Sequence, residues 1–189
     1  EKNGKLDLLE YRKFFVWDPI GERPKDSPFG VNLSGADKMN AMIGMTEGRF
    51  ENMKWFMCSP AKDKYAFDGS VGPWHVNHDK IFAGLAEIGI NPLPMMLGVP
   101  KYASSHPDEE RPLFYPPKDP AEYRQFAFQT AARYGSKTVP ADRLLTDDKK
   151  SGMNLIRHFE IWNEPDLNHP KWGALIGTFE DYFPILRAG

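Results

Sequence analysis

Short apolar runs alternate with amphipathic stretches along this chain and predict an α/β fold. Four runs rich in branched, aromatic and other apolar residues are predicted strands, at 29–32, 53–58, 90–99 and 155–162. Helices are predicted between and after them, at 39–50, 77–88, 119–134 and from 178 onward. A repeated strand–helix order indicates a parallel sheet with helical crossovers.

Two of the helices carry clear signals at their ends. Asp119 is predicted to cap a helix with Pro120 in its first position, and Gly135 to end it. Gly89 suits the end of the preceding helix. Elsewhere proline opposes the pattern: Pro92 and Pro94 lack the N–H that a strand donates, and Pro184 is expected to interrupt or offset the last helix.

Composition and charge narrow the functional classes. The chain has 189 residues, with 24 basic and 26 acidic side chains and a net charge of −2, so no general attraction to nucleic acid is implied. Its sequence holds no apolar run long enough to span a bilayer. The single cysteine, Cys58, is expected to be a buried apolar residue.

The densest candidate chemistry lies at the end of the fourth predicted strand. Residues 159–166 read Phe-Glu-Ile-Trp-Asn-Glu-Pro-Asp, and Pro165 cannot continue a sheet ladder. Asn163 and Glu164 are therefore predicted at the carboxyl end of a core strand. In barrels of alternating strands and helices, catalytic residues stand at that end.

This run resembles the fourth-strand signature of retaining glycoside hydrolases with a (β/α)8 (TIM) barrel, most closely family 39, the xylosidase and iduronidase relatives. The resemblance implies that residues 29–189 are the N-terminal half of such a barrel, about its first four βα units. It implies that Glu164 is the general acid/base, that Asn163 binds the sugar hydroxyl beside the anomeric carbon, and that no cofactor or metal is needed. The substrate would be a β-linked oligo- or polysaccharide.

The same resemblance implies that part of the enzyme is missing from this chain. A complete barrel takes about 250 residues, whereas this chain has 189 and begins with Glu1. The nucleophile, a Glu at the end of the seventh strand in these enzymes, would lie in the missing C-terminal half. We therefore expect a fragment that is inactive alone and that aggregates through its unpaired first and fourth strands. Residues 1–28 are expected to be an approach segment or the end of a preceding domain.

Aromatic and imidazole side chains on the loops after the second, third and fourth predicted strands are candidate sugar contacts, because those loops ring the cleft of a barrel. These residues are Trp74, Tyr102, His169 and Trp172. The His75–His78 spacing lacks companion ligands for a metal and is assigned to capping or surface roles. His158 is interpreted as a core histidine, and Glu160 as an inward-facing polar residue.

Two alternative functions remain open at this stage. The fourth-strand signature is shared across families, so an enzyme of the same clan with agarase-like, mannanase-like or glucanase-like specificity is the first alternative. A barrel that binds carbohydrate without cleaving it is the alternative from another class. An extracellular or periplasmic location is favoured by the resemblance alone.

Overall fold

A four-stranded parallel sheet lies at the centre of the computed structural model, which describes residues 29–33, 35, 37–51 and 53–189. Its strands, in spatial order, are β1 (Gly30–Asn32), β2 (Glu47–Phe50), β3 (Asn91–Met96) and β4 (Glu160–Ile161). All three strand pairs are parallel, which confirms the predicted α/β class. The predicted approach segment, residues 1–28, lies outside the described residues.

Helices connect and flank the strands. They are α1 (Asp37–Met42), α2 (Trp55–Cys58), α3 (His78–Glu87), α4 (Pro120–Tyr134) and α5 (Phe179–Ala188). Short 3-10 turns occur at Pro73–His75, Pro112–Phe114 and Ala141–Arg143. Within the described ranges, no helix combines the length and apolarity needed to cross a membrane.

The predictions for α3 and α4 are confirmed because their signals are local. Asn77 Oδ1 accepts a hydrogen bond from Lys80 N at 2.8 Å, and Asp119 Oδ1 accepts one from Ala121 N at 2.8 Å. Both caps satisfy donors that a helix start leaves unpaired. The last helix also begins where predicted, with Thr178 and Asp181 forming a capping box. Pro184 lies inside this helix rather than ending it.

The predicted second strand is wrong. The run at 53–58 contains the helical turn α2, and the strand is Glu47–Phe50, which the sequence pattern had assigned to a helix that in fact ends at Met42. Close packing around Gly48 favours the 47–50 segment as the strand. A Cβ on Gly48 would lie 2.8 Å from Leu33 Cδ2 and 2.9 Å from Ile90 Cγ2. The glycine therefore lets this polar segment sit deep between its neighbours.

Strand β3 tolerates its prolines because of the direction in which their missing donors point. Asn91 N donates to Thr46 O on the β2 side. Backbone N–H directions alternate along a strand, so the nitrogens of the even-numbered residues point toward β4. On that side β4 begins only opposite Met95. Pro92 and Pro94 therefore precede the point at which β4 needs a donor.

The fourth strand is much shorter than predicted. Only Glu160–Ile161 pair with β3, opposite Met95 and Met96. Earlier residues of the predicted strand are held elsewhere, because the N–H groups of Leu155 and Ile156 both donate to Tyr134 O at the end of α4.

Helix α4 supplies much of the core on one side of the sheet. Phe126 stacks on Trp55 with ring centroids 5.7 Å apart, and both side chains are almost fully buried. Tyr123 is also buried, and its hydroxyl donates to Met96 O at 2.8 Å. The helix is thus fixed to β3 close to the carboxyl edge of the sheet.

A buried ion cluster fixes the other end of α4. Arg133 is only 2% exposed, and its guanidinium donates to both carboxylate oxygens of Asp79 and of Asp148. A buried charge is tolerated when its partners satisfy it in this way. The hydrogen bond from Arg133 holds the pKa of the Asp148 carboxyl well below its usual range.

Candidate active site

The fourth strand delivers Asn163 and Glu164 to the carboxyl edge of the sheet. Trp162 N donates to Met96 O at 3.0 Å, which extends the pairing of β4 with β3 by one hydrogen bond. Asn163 and Glu164 follow immediately, and the Glu164 side chain is exposed. The structure therefore places both residues at the end of the sheet where the sequence predicted them.

The backbone turns sharply at this point. Trp162 and Glu164 have φ values of 70° and 40°, in the left-handed region that costs a non-glycine residue about 1–2 kcal/mol. The turn is held from both sides: the indole of Trp162 is buried and donates to Ala174 O at 2.9 Å, and Glu164 O accepts from Leu167 N at 3.0 Å. Strained backbone held by its surroundings is typical of functional sites.

Arg49, on β2, organises the polar side chains beside Glu164. Its Nε donates to Glu160 Oε2 and its Nη2 to Glu160 Oε1, both at 2.6 Å. Nη2 also lies 2.7 Å from Asn163 Oδ1, and that amide donates from Nδ2 to Glu164 Oε2 at 3.1 Å. The hydrogen bond with Glu160 raises the pKa of the Arg49 guanidinium above its ordinary value, so the group stays charged.

This network has a direct consequence for the orientation of Asn163. Because its Oδ1 accepts from a permanently charged guanidinium, its amide N–H₂ must face the other way, toward Glu164. Glu160 fixes Arg49 through a bidentate pair, Arg49 fixes Asn163, and Asn163 contacts Glu164. We call this series of contacts the hydrogen-bond chain. Glu160 thus faces this cluster, in agreement with its predicted inward orientation.

Arg49 is the member of this cluster that sequence reasoning missed. The second strand was assigned six residues too late, so Arg49 fell in a predicted helix. A signal was present. Glu160 on the fourth strand needs a cationic partner if it faces inward, and Arg49 occupies the alternating pattern of a short strand, Glu47–Phe50.

An open cavity of about 340 Å³ adjoins Arg49 on the sheet. It is lined by Gly30, Val31, Asn32, Glu47, Gly48, Arg49 and Leu93. These residues come from β1, β2 and β3, so space beside the polar cluster continues across three neighbouring strands.

The four predicted sugar contacts separate into two groups. His169 and Trp172 lie on the loop that begins at Glu164, and their rings stack with centroids 4.3 Å apart. Tyr102 and Trp74 instead contact the α2 segment: the Tyr102 hydroxyl lies 2.7 Å from Ser59 Oγ, just after α2, and Trp74 meets Phe56 edge to face. Burial raises the pKa of Tyr102, as expected of a packed phenol.

The remaining histidines and the cysteine take structural or surface positions. His75 is exposed as predicted, with Nδ1 3.1 Å from Gly69 O, but the prediction of a capping or surface role is wrong for His78, which is buried against Phe50. Nowhere in the described part of the chain do three or more His, Cys, Asp or Glu side chains gather closely enough to hold a metal ion. The prediction for His158 is wrong, because it lies on the exposed segment before β4. Cys58 is buried as predicted, and burial raises the pKa of its thiol.

Comparison with known proteins gives a likeness to a solved structure. No protein-family profile matches this sequence, and no curated protein matches it. A solved structure of a family 39 glycoside hydrolase from the gut symbiont Bacteroides cellulosilyticus WH2 matches 88% of this chain, with a TM-score of 0.54 and 20% sequence identity. The chain spans 28% of the length of that enzyme. At this identity the likeness is one of fold.

Proposed function

We propose that this chain forms the N-terminal part of a (β/α)8-barrel glycoside hydrolase that acts with retention on a β-linked oligo- or polysaccharide. The observation that carries the proposal is the placement of Glu164: an exposed carboxyl at the carboxyl edge of a parallel sheet, hydrogen-bonded to an asparagine that the half-buried Arg49 orients. The fold likeness to a family 39 glycoside hydrolase supports it.

In this proposal Glu164 does the proton chemistry. It donates a proton to the departing glycosidic oxygen and then, as its carboxylate, removes a proton from the water that releases the sugar. Asn163, held by Arg49, presents its amide N–H₂ beside Glu164 and donates to a hydroxyl of the same sugar. Hydrogen bonds to that hydroxyl strengthen in the transition state of retaining enzymes.

The second carboxyl of the reaction lies outside these 189 residues in this proposal. A retaining mechanism needs a nucleophile about 5–5.5 Å from the acid/base carboxyl. Glu160 does not fill that role, because Arg49 engages both of its oxygens. We expect the residue to come from a later strand of the same barrel, opposite β4.

The test is hydrolysis of aryl β-glycosides by the full-length protein that contains this chain. Glu164→Gln is expected to lower kcat by about 10²–10⁴, the usual contribution of a general acid or base. The loss should be larger for a poor leaving group than for an activated phenol, because only the former needs protonation. Glu110→Gln, at an exposed glutamate of the loop after β3, is the matched control and should leave the rate unchanged.

The contrary result is equally clear. If Glu164→Gln cleaves both classes of substrate as fast as the wild type, Glu164 is not the acid/base.

A further inference from the structure

The loop after Glu164 is a closed loop rather than an open connection. It leaves the sheet at Glu164, whose carbonyl accepts from Leu167 N, and returns at Ala174, whose carbonyl accepts from the Trp162 indole at 2.9 Å. Both ends are therefore held beside the same tryptophan, next to the candidate acid/base. Loops of this kind, compact and with adjacent ends, are frequently functional.

Within the loop, the rings of His169 and Trp172 stack face to face, and we call this pair the aromatic platform. Their ring planes are 11° apart and the centroids are separated by 4.3 Å. Lys171 N donates a hydrogen bond to His169 Nδ1 at 3.2 Å, which fixes the orientation of the imidazole. Gly173 N donates to His169 O at 2.7 Å, so a tight turn brings the two rings together.

The tight turn depends on glycine at position 173. A Cβ there would lie 2.3 Å from Leu167 O and 2.4 Å from His169 N, both of them backbone atoms. Since backbone cannot move aside as a side chain can, only glycine allows this close approach.

Arg111, from the loop after β3, fixes the platform from outside. Its Nη1 donates to Pro170 O at 3.2 Å and its Nη2 to Gly173 O at 3.0 Å, on either side of Trp172. Its guanidinium also lies over the ring of Phe114, 4.1 Å from the centroid. The loop is thus held in place before any ligand arrives, which lowers the entropic cost of binding.

Despite these supports, Trp172 is largely exposed. It keeps 62% of its surface accessible although one ring face is covered by His169, so the opposite face is open to solvent. The loop therefore holds this indole rigidly and leaves one of its faces open. The open face matches the apolar face that a pyranose ring presents when all its hydroxyls are equatorial.

We propose that the aromatic platform is a sugar-binding subsite beside Glu164 for β-linked chains whose hydroxyls are equatorial. The subsite rests on the proposed function, which supplies the substrate class. His169 is five residues from Glu164, so the two are at most about 18 Å apart along the chain. One oligosaccharide can therefore contact both.

The experiment measures binding of cellohexaose and xylohexaose by isothermal titration calorimetry. The full-length protein carries Glu164→Gln in every arm, so that the probe is not consumed. Trp172→Ala is expected to weaken binding of at least one hexaose about tenfold or more, equivalent to about 1.4 kcal/mol. Trp172→Phe keeps a flat ring and should recover most of the affinity.

Phe179→Ala is the matched control. Phe179 is also exposed, at 69%, but contacts Phe183 on the same helix, α5, so its loss should leave both affinities unchanged. Circular dichroism and thermal melting of each variant confirm that it is folded.

Three results would overturn the platform: equal binding by Trp172→Ala and its parent, the same loss in Phe179→Ala, or no binding of either hexaose by the parent. None of them depends on hydrolysis. The rate measurement on Glu164→Gln decides the proposed function separately, so the two failures are distinguishable.

Discussion

Replacing Arg49 with methionine should both destabilise the protein and release Asn163. The guanidinium makes two hydrogen bonds to Glu160 and one to Asn163, all of 2.6–2.7 Å. The Arg49 and Glu160 side chains are 26% and 29% exposed, so the pair lies between the surface and buried limits.

The magnitude follows from those two limits. Exposed ion pairs contribute about 0–1 kcal/mol, and breaking a fully buried pair costs about 3–5 kcal/mol. For a pair that is about three-quarters buried we expect Arg49→Met to lower the free energy of unfolding by about 2 kcal/mol. Arg49→Lys should recover only part of this, because an ammonium cannot reproduce the bidentate geometry.

A double-mutant cycle isolates the interaction. Urea unfolding of the wild type, Arg49→Met, Glu160→Gln and the double variant should give a coupling energy of about 1–2 kcal/mol. Lys62 and Glu122 are the control pair: they lie 3.0 Å apart, but Lys62 is 64% exposed, and their cycle should show no measurable coupling. A coupling energy near zero for Arg49 and Glu160, with Arg49→Met as stable as the wild type, would refute the claim that the hydrogen-bond chain stabilises this site.

Two further predictions concern the framework behind the site. Tyr123→Phe should cost about 1 kcal/mol in urea unfolding, because its buried hydroxyl donates to Met96 O; equal stabilities would contradict this. Asp148→Asn should lower Tm at pH 6, with a difference that shrinks as the pH falls. Because the hydrogen bond from Arg133 lowers the pKa of Asp148 in the folded state, the contribution of this pair to stability is fully present above the unfolded pKa of about 4. It is lost progressively as the pH falls from there toward the lower folded pKa. A Tm difference that is constant from pH 6 to pH 3 would show that this pairing contributes nothing.

The helices and the position of Glu164 were predictable because their signals lie close together in the sequence. Asn77 and Asp119 cap the helices that follow them, and Pro165 marks where the strand must end. Each signal acts within a few residues, so no knowledge of the fold was needed to interpret it.

The strands depended on long-range pairing and were predicted less well. The apolar run at 53–58 became a helical turn, since Trp55 N and Phe56 N donate to Leu97 O and Gly98 O beyond the end of β3. A more polar segment took the strand position because Gly48 fits between Leu33 and Ile90. Neither contact is visible without the folded neighbours.

Long-range contacts also explain why the candidate site was predicted only in part. Asn163 and Glu164 belong to one short motif, whereas Arg49 is more than a hundred residues away in sequence and reaches them only across β3. Among the loop aromatics, position after a strand did not distinguish Trp172, which stacks beside the Glu164 loop, from Trp74, which contacts α2. That distinction required the path of each loop.

The role of Glu164 is tested most directly by azide rescue of Glu164→Ala in the full-length protein, with an activated aryl β-glycoside as substrate. Without its acid/base, the enzyme should still form the glycosyl intermediate but hydrolyse it slowly. Azide, which needs no base, should restore turnover and give the β-glycosyl azide. Formation of the α-glycosyl azide would identify Glu164 as the nucleophile instead, and wild-type hydrolysis without azide would show that Glu164 takes no part in the reaction.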